Sequence, residues 1–447
     1  MPKQIHLAAH FPGVNNTTVW SDPNAGSQID IASFVHLART AERGRFDFFF
    51  LAEGLRLRER KGLIHDLDVV GRPESLTVLA ALAGATERLG LAATVNSTFN
   101  EPYELARRLA TLDHLSDGRA AWNVVTSWDA FTGENFRRGG YLDEADRYAR
   151  ARETLQTARE LWDSWTDDAI VADRESGEFV RPGQGEFRHR GEQFDISGLF
   201  STPRGPQGHP VIIQAGDSEE GREFAASDAD VIFSRHSRLE EARTFYKDVK
   251  SRLAKYGRAE DDLKILPAVT FVLGATEEEA AERAAAIRTA QVSPQTALAF
   301  LESVWGRDLS DHDPDGPLPA ADPDPDEKLA KGWARFNTDR AALARQWRKV
   351  AEEKNLTTRE LVIEVTSRQT FVGTPAAVAA QLDEFVQTGG SDGFILAPHL
   401  TPGGLDDFVD EVVPLLQERG VFRTEYTGPT LRDHLGLAAP RFPRKDA

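Results

Sequence analysis

The chain has no cysteine among its 447 residues. Its absence excludes disulfides, thiolate nucleophiles, thiolate-held zinc and cysteine-ligated iron–sulfur clusters. Methionine occurs once. A shortage of both sulfur residues suits an enzyme that handles peroxides, and a biased genome composition explains it equally well. Positive charge is also short: 53 Lys plus Arg stand against 71 Asp plus Glu, a formal net charge of −18. Such a chain repels phosphate backbones, which argues against nucleic acid as a partner. Long apolar runs are missing too. The most apolar stretch, residues 76–95, is broken by Glu87 and Arg88, so no segment reads as membrane-spanning. The opening MPKQIHLAAHF is too short and too polar in its apolar part for a signal peptide. A cytoplasmic location follows by default.

What is present is the composition of a soluble globular protein, with 40% hydrophobic and 28% charged residues. Short β-branched or aromatic runs alternate with helical patterns. Strands are expected at 4–11, 46–52, 89–96, 119–126, 209–216, 231–235, 265–273 and 393–399. Helices are expected at 28–43, 74–88, from Pro102 onward, and at 144–162, 218–227, 239–256, 375–388 and 405–418. Runs such as FDFFFLA are apolar at consecutive positions, as in parallel strands buried on both faces. Eight strand–helix units predict an α/β fold closed as a TIM (β/α)8 barrel rather than an open sheet. The whole chain, 1–447, reads as one barrel domain with insertions at about 166–201 and 290–356. The second insertion includes helices at 294–305 and 338–354. Between them runs an acidic, proline-rich stretch at 306–326, expected to be an exposed loop.

A barrel of this kind places its chemistry at the C-terminal ends of the strands. Those ends carry His10 and Phe11, Glu53, the group Thr94 to Thr98, then Asn123 with Ser127, then Gln214 to Ser218, then Arg235 with His236, and last His399. No HExxH, GxSxG or P-loop pattern occurs. In AGDSEEG, Gly216 lets a backbone approach a ligand, and Ser218 both caps a helix and offers a bond to a phosphate oxygen. An ordinary β-to-α turn with a serine cap has the same letters. Asn123, closing an apolar strand, offers a donor and an acceptor to a planar heterocycle, or is satisfied by the neighbouring backbone. Tyr148 follows a long loop and either reaches a ribityl or phosphate group or sits at the edge of the core. His10, His236 and His399 leave a second reading open, a metal-dependent barrel hydrolase, although the first strand lacks the HxH spacing common in such sites.

Six segments, taken in order, span nearly the whole chain: FDFFFLAEG, NSTFNEPYELARRLATLDHLSDGRAAWNVVTS, DRYARA, LWDSW, VIIQAGDSEEGREFAASDADVIF and VGTPAAVAAQLDEF. Together they resemble the oxygenase component of two-component flavin monooxygenases with the bacterial-luciferase fold. The branch is that of nitrilotriacetate monooxygenase component A and dibenzothiophene-sulfone monooxygenase. The resemblance implies a TIM barrel with insertions that binds reduced FMN non-covalently. It also implies oxygenation of a small organic substrate through a C4a-(hydro)peroxyflavin formed with O2. A separate NAD(P)H:flavin reductase would supply the FMNH2, and the chain would form a homodimer or homotetramer.

Carried over by position, Glu53 stands where the family usually has aspartate, Thr94 and Ser97 flank the isoalloxazine, and Asn123 and Ser127 contact it from the fourth strand. Tyr148 reaches the phosphate end with Gly216, Asp217 and Ser218, while Glu144 occupies a position that is often histidine. His10 and His236 are the candidates for catalytic proton handling or substrate contact. Phe11, Arg56 with Arg58, and Arg235 are the candidates for binding the substrate, the arginines favouring an anionic one. No metal is expected. No GxGxxG stands in a strand–turn–helix setting, so the chain is not expected to reduce its own flavin efficiently with NAD(P)H.

Overall fold

The computed structural model describes residues 2–13, 15, 17–57, 59–64, 73–127, 130–136, 144–324, 330–331, 339–367, 369–440 and 442. Eight parallel strands close a barrel in sequence order: β1 His6–Phe11, β2 Phe48–Leu51, β3 Gly90–Asn96, β4 Ala120–Val125, β5 Val211–Gln214, β6 Val231–Ser234, β7 Lys264–Val269 and β8 Gly393–Leu396. Each falls within one of the eight apolar runs or one residue from it. The TIM barrel read from the sequence is the fold observed. Around it lie α1 Ile31–Arg43, α2 Ser75–Ala83, α3 Pro102–Leu115, α4 Glu144–Trp162, α5 Glu219–Asp228, α6 Leu239–Leu253 and α7 Pro375–Gln387.

The two-residue period of a strand decides which side chains face the axis. Along β1, Leu7, Ala9 and Phe11 pack into the layer between barrel and helices, which leaves His6, Ala8 and His10 for the interior. All eight strands contribute to the inner cluster of Ala8, Phe48, Phe50, Ala92, Ala121, Val211, Ile213, Val231, Leu266 and Ile395. Alanines opposite phenylalanines let the layer fill without overcrowding. The N-terminal end of the barrel is stoppered by Leu431, Leu435 and Leu437, from and just after the helix Leu431–Leu435. Gly90 has no space for a larger residue there, because a Cβ would stand 2.6 Å from Leu431 Cδ1. Beside the stopper the fully buried Asp47 accepts the Leu7 N–H at 2.9 Å, meets His6 Nδ1 at 3.2 Å and pairs with Arg423.

The run at 265–273 is two strands. β7 leaves the barrel after Val269, and Phe271–Leu273 pairs in parallel with Phe371–Gly373 outside it. Two stretches lie apart from the simple alternation. The hairpin Glu186–Arg190 and Asp195–Leu199 is pinned to α4 by His189, held at 2.8 Å by Glu160 and 3.3 Å by Glu153. The helices Pro294–Trp305, Arg340–Lys354 and Thr358–Thr366 build a separate small core around Leu301, Trp305, Trp347 and Leu361. This core runs past residue 356. The acidic loop between the first two of these helices is not wholly exposed, since Leu309 and Leu318 pack on that core and Trp305 Nε1 donates to Ala321 O at 2.9 Å. Among the described residues no helix is long and apolar enough to cross a membrane.

Candidate active site

The adjoining C-terminal ends of β2, β3 and β4 carry a chain of polar contacts. Thr94 and Asn123 are register partners, and Asn123 Nδ2 donates to Thr94 Oγ1 at 3.1 Å. Asn123 Oδ1 is buried and has no hydrogen-bond partner among the described residues, a vacancy that costs stability unless a ligand fills it. One layer nearer the rim, Asn96 Nδ2 donates to Ser127 Oγ at 2.6 Å, and Asn96 Oδ1 accepts the N–H groups of Thr98 and Phe99 at 2.6 and 3.2 Å. The Asn96 main chain in turn hydrogen-bonds Glu53. Glu53 is half-buried, and its carboxyl is pushed up to about 8. Burial is the main cause, the Asn96 bond opposes it, and the nearby Glu74 carboxylate adds to it. Ser97 is turned elsewhere: its hydroxyl donates to Val125 O at 3.1 Å.

The loop after β5 packs closely against the start of α5 and Tyr148. A Cβ at Gly216 would lie 2.2 Å from Gln214 Nε2, 2.8 Å from Tyr148 Oη and 3.1 Å from Gly221 Cα; one at Gly221 would lie 3.0 Å from the same hydroxyl. Both glycines are therefore required for the close approach of the loop, the first turn of α5 and the buried Tyr148. Ser218 caps α5, its Oγ accepting Gly221 N–H at 3.2 Å. This loop thus sits at the positive end of a ten-residue helix. Arg147 lies over the Tyr148 ring at 5.0 Å. The acidic neighbours are offset by pairing. Asp217 Oδ1 meets His236 Nε2 at 3.0 Å and Arg222 Nη2 at 3.3 Å, and Glu219 is held by Arg252 at 2.6 Å. His236 also stacks on Phe245, with ring centroids 4.5 Å apart.

Across the mouth, His10 sets its edge against Phe50, and Phe50 stacks on Phe233, each pair 5.5 Å apart. His399 Nδ1 is buried without a partner among the described residues, and burial holds the imidazole below its ordinary value. Arg235 is exposed, and its side chain makes no hydrogen bond or ion pair among the described residues. Arg56 is already paired with Glu134. One expectation is corrected. Phe11 does not line the mouth, because it is the outward member of β1 and stacks on Phe34 of α1 at 4.1 Å. Arg58 lies outside the described residues, and Glu144 begins α4 with its side chain outside them. The three histidines do not gather. Among the described residues no group of three His, Asp or Glu side chains could hold a metal ion, which removes the geometric support for the hydrolase reading.

Three features escaped the sequence reading. Asn96 links Glu53 to Ser127; strand parity with Thr94 was the signal for it. Arg222 offsets Asp217 from four residues after the cap, at a helical spacing. Phe99 and Phe136 stack face to face at 4.3 Å between two rim loops, a contact with no local signature.

Residues 12–392 match the family model described as luciferase-like monooxygenase. The chain belongs to the luciferase-like monooxygenases. Within this family it is 41% identical over 437 residues to nitrilotriacetate monooxygenase component A of Aminobacter aminovorans, covering 94% of each chain. It is 40% identical over 446 residues to N-acetyl-S-(2-succino)cysteine monooxygenase of Bacillus subtilis (strain 168), covering 98% of each. A crystal structure of riboflavin lyase with modified FMN and substrate riboflavin is similar at a TM-score of 0.78 and 29% identity, covering 98% of this chain and 97% of that one. The nitrilotriacetate branch read from the sequence is the one in which this luciferase-like monooxygenase falls.

Proposed function

We propose that this chain is the FMNH2-dependent oxygenase component of a two-component system. A separate NAD(P)H:flavin reductase delivers the reduced FMN, and a small organic anion is oxygenated with O2. The observation that carries the reading is the glycine-built loop under Tyr148, where Gly216 and Gly221 bring the backbone close against the capped, positive end of α5. The unpartnered Asn123 Oδ1 a few residues away in the barrel wall suits the polar edge of a flat ring. Both features fit FMN, and a relative at 29% identity is titled with modified FMN.

When bound, the reduced flavin supplies the electrons that activate dioxygen. The chain's own residues do the rest. Gly216, Ser218 and Tyr148 hold the phosphate, with the Asp217 charge offset by Arg222 and its carboxylate bonded to the His236 ring. Thr94, Asn123 and the Glu53–Asn96–Ser127 chain orient the ring system. Ser97 supports that wall through its bond to Val125. Phe50, Phe233 and the Phe99–Phe136 stack keep water from the reacting face. Asp217 fixes His236 through Nε2, which leaves Nδ1 as the ring atom that exchanges a proton; His10 faces the same mouth. Arg235 draws in the anion. Two relatives named for carboxylate-bearing molecules, nitrilotriacetate and N-acetyl-S-(2-succino)cysteine, support that substrate class. The designation "component A" of one of them supports a second protein. A homodimer or homotetramer in the cytoplasm, where flavin reductases work, completes the reading.

The test combines the purified chain with FMN, NADH, a generic flavin reductase and 18O2 over a panel of thioether and amino polycarboxylates. Product carrying one labelled oxygen is expected. No labelled product from any candidate, together with no binding of reduced FMN, would defeat the proposal.

A further inference from the structure

Phe50 is the last inward residue of β2, and Phe233 is the last inward residue of β6. These strands stand opposite each other, three strands apart either way round the barrel. The two rings nevertheless stack at 5.5 Å with their planes 18° apart, so they meet across the interior. The register explains the meeting. Phe50 pairs with Ala92, and Ala92 with Ala121. Neighbouring strands of a barrel of this kind are staggered by about one residue, so level side chains come from alternate strands. Level with Phe50 is therefore Asn123, one inward position beyond Ala121, followed by Phe233 and Ile395. The layer beneath is Ala8, Ala92, Ile213 and Leu266, all fully buried. The alanines stand on either side of β2, where Phe50 fills the space they leave, and Ile213 and Leu266 stand on either side of β6. Phe50 is buried, whereas Phe233 is only partly so. The barrel is filled below Phe233, so its exposed part faces the mouth. Arg235 follows on the same face of the chain, about 7 Å nearer the rim.

We propose that the Phe50–Phe233 stack is the floor of the substrate pocket and that Phe233 sets its depth. The inference rests on the oxygenase reading above and deepens it. An anion drawn in by Arg235 points its uncharged end down onto this floor, beside His10, whose edge packs on Phe50 at 5.5 Å. A short aliphatic end fits there. An aryl end does not, because the slot it needs is filled by the Phe233 ring. Truncating that ring leaves a gap one ring thick, walled by the face of Phe50 and based on Ile213 and Leu266. Close packing keeps these neighbours from collapsing into it fully.

The experiment compares the full chain with Phe233→Leu and Phe233→Ala on two thioether dicarboxylates, S-methyl-mercaptosuccinate and S-benzyl-mercaptosuccinate. Each is supplied with FMN, NADH, a generic flavin reductase and 18O2. The parent is expected to favour the methyl compound. Phe233→Ala is expected to raise the benzyl-to-methyl ratio of kcat/KM by at least about tenfold, with Phe233→Leu between the two. Fluorine NMR of fluorobenzene gives a readout that needs no flavin. A bound signal is expected with Phe233→Ala and none with the parent, because an apolar gap of ring size stays dry and takes an aromatic ligand. Thermal melts verify that the variants are folded. The proposal is overturned if Phe233→Ala binds fluorobenzene yet leaves the ratio unchanged, since the gap then lies outside the substrate pocket. It is overturned equally if a folded Phe233→Ala binds no fluorobenzene, or if the variant weakens reduced FMN about tenfold while the ratio stays put, which would give the stack to the flavin. Fluorobenzene bound by Phe233→Ala, with no labelled product from either compound in parent or variants, overturns the substrate reading and this role together.

Discussion

Asp217 and His236 stand at the ends of different strands, yet the Asp217 carboxylate meets His236 Nε2 at 3.0 Å and so joins the loop after β5 to the loop after β6. Asp217→Asn keeps the shape of the side chain but removes its charge. It is expected to lower kcat/KM by about tenfold, the loss of one charge-assisted hydrogen bond at a positioned imidazole. Steady-state kinetics with a saturating reductase would measure it. An unchanged kcat/KM would show that the pair only ties the two loops together.

Gly216→Ala pushes this closely packed loop apart. The added methyl has to displace the Gln214 amide and the Tyr148 hydroxyl. Affinity for reduced FMN is expected to drop by at least about tenfold, while riboflavin, which lacks the phosphate, is expected to lose much less. Fluorescence titration of both flavins against the variant separates a phosphate contact at this loop from a general packing defect.

Arg235 is exposed and makes no ion pair among the described residues. Arg235→Ala is expected to raise the apparent KM for a carboxylate-bearing substrate about tenfold and to flatten its dependence on salt. The turnover number should stay close to that of the parent. An unchanged KM would move anion recognition to another group.

Asp47 links acid stability to the floor of the barrel. Burial alone would raise its carboxyl, but Arg423 and then His6 outweigh it and bring it down to about 2. A depressed carboxyl stabilises the fold above its unfolded value of 3.8. That contribution, about 2 kcal/mol, is lost as pH falls from roughly 4 through 2. Asp47→Asn is expected to cost about 3 kcal/mol at neutral pH by stranding Arg423. Urea unfolding at pH 7 and at pH 3 would show a large deficit at the first and a smaller one at the second.

The barrel strands were legible because their side chains are buried on both faces, so each appears as an apolar run bounded by polar turns. Parity within a run was legible as well, and it explains the one misplaced residue: His10 faces in, so Phe11 next to it must face out against Phe34. The exit of the chain after Val269 left no mark, because Phe271–Leu273 is as apolar as the strand it follows. The helix Glu277–Gln291 was passed over because it buries only Ala280 and Ala284 and has almost no apolar stripe. At the site, residue types at strand ends were readable, but their couplings were not. That Asp217 is offset by His236 and Arg222, and that Glu53 stands beside Glu74, depend on loops packed across the barrel mouth.

The leucines that stopper the barrel are translated after all eight strands: β8 ends at Leu396, and the stopper begins at Leu431. On the ribosome the sheet therefore cannot complete its inner layer while it is being made. Its lower opening stays wet until the helix Leu431–Leu435 emerges and docks. A bulky insertion placed between β8 and that helix would hinder this last step of assembly rather than the chemistry at the opposite end.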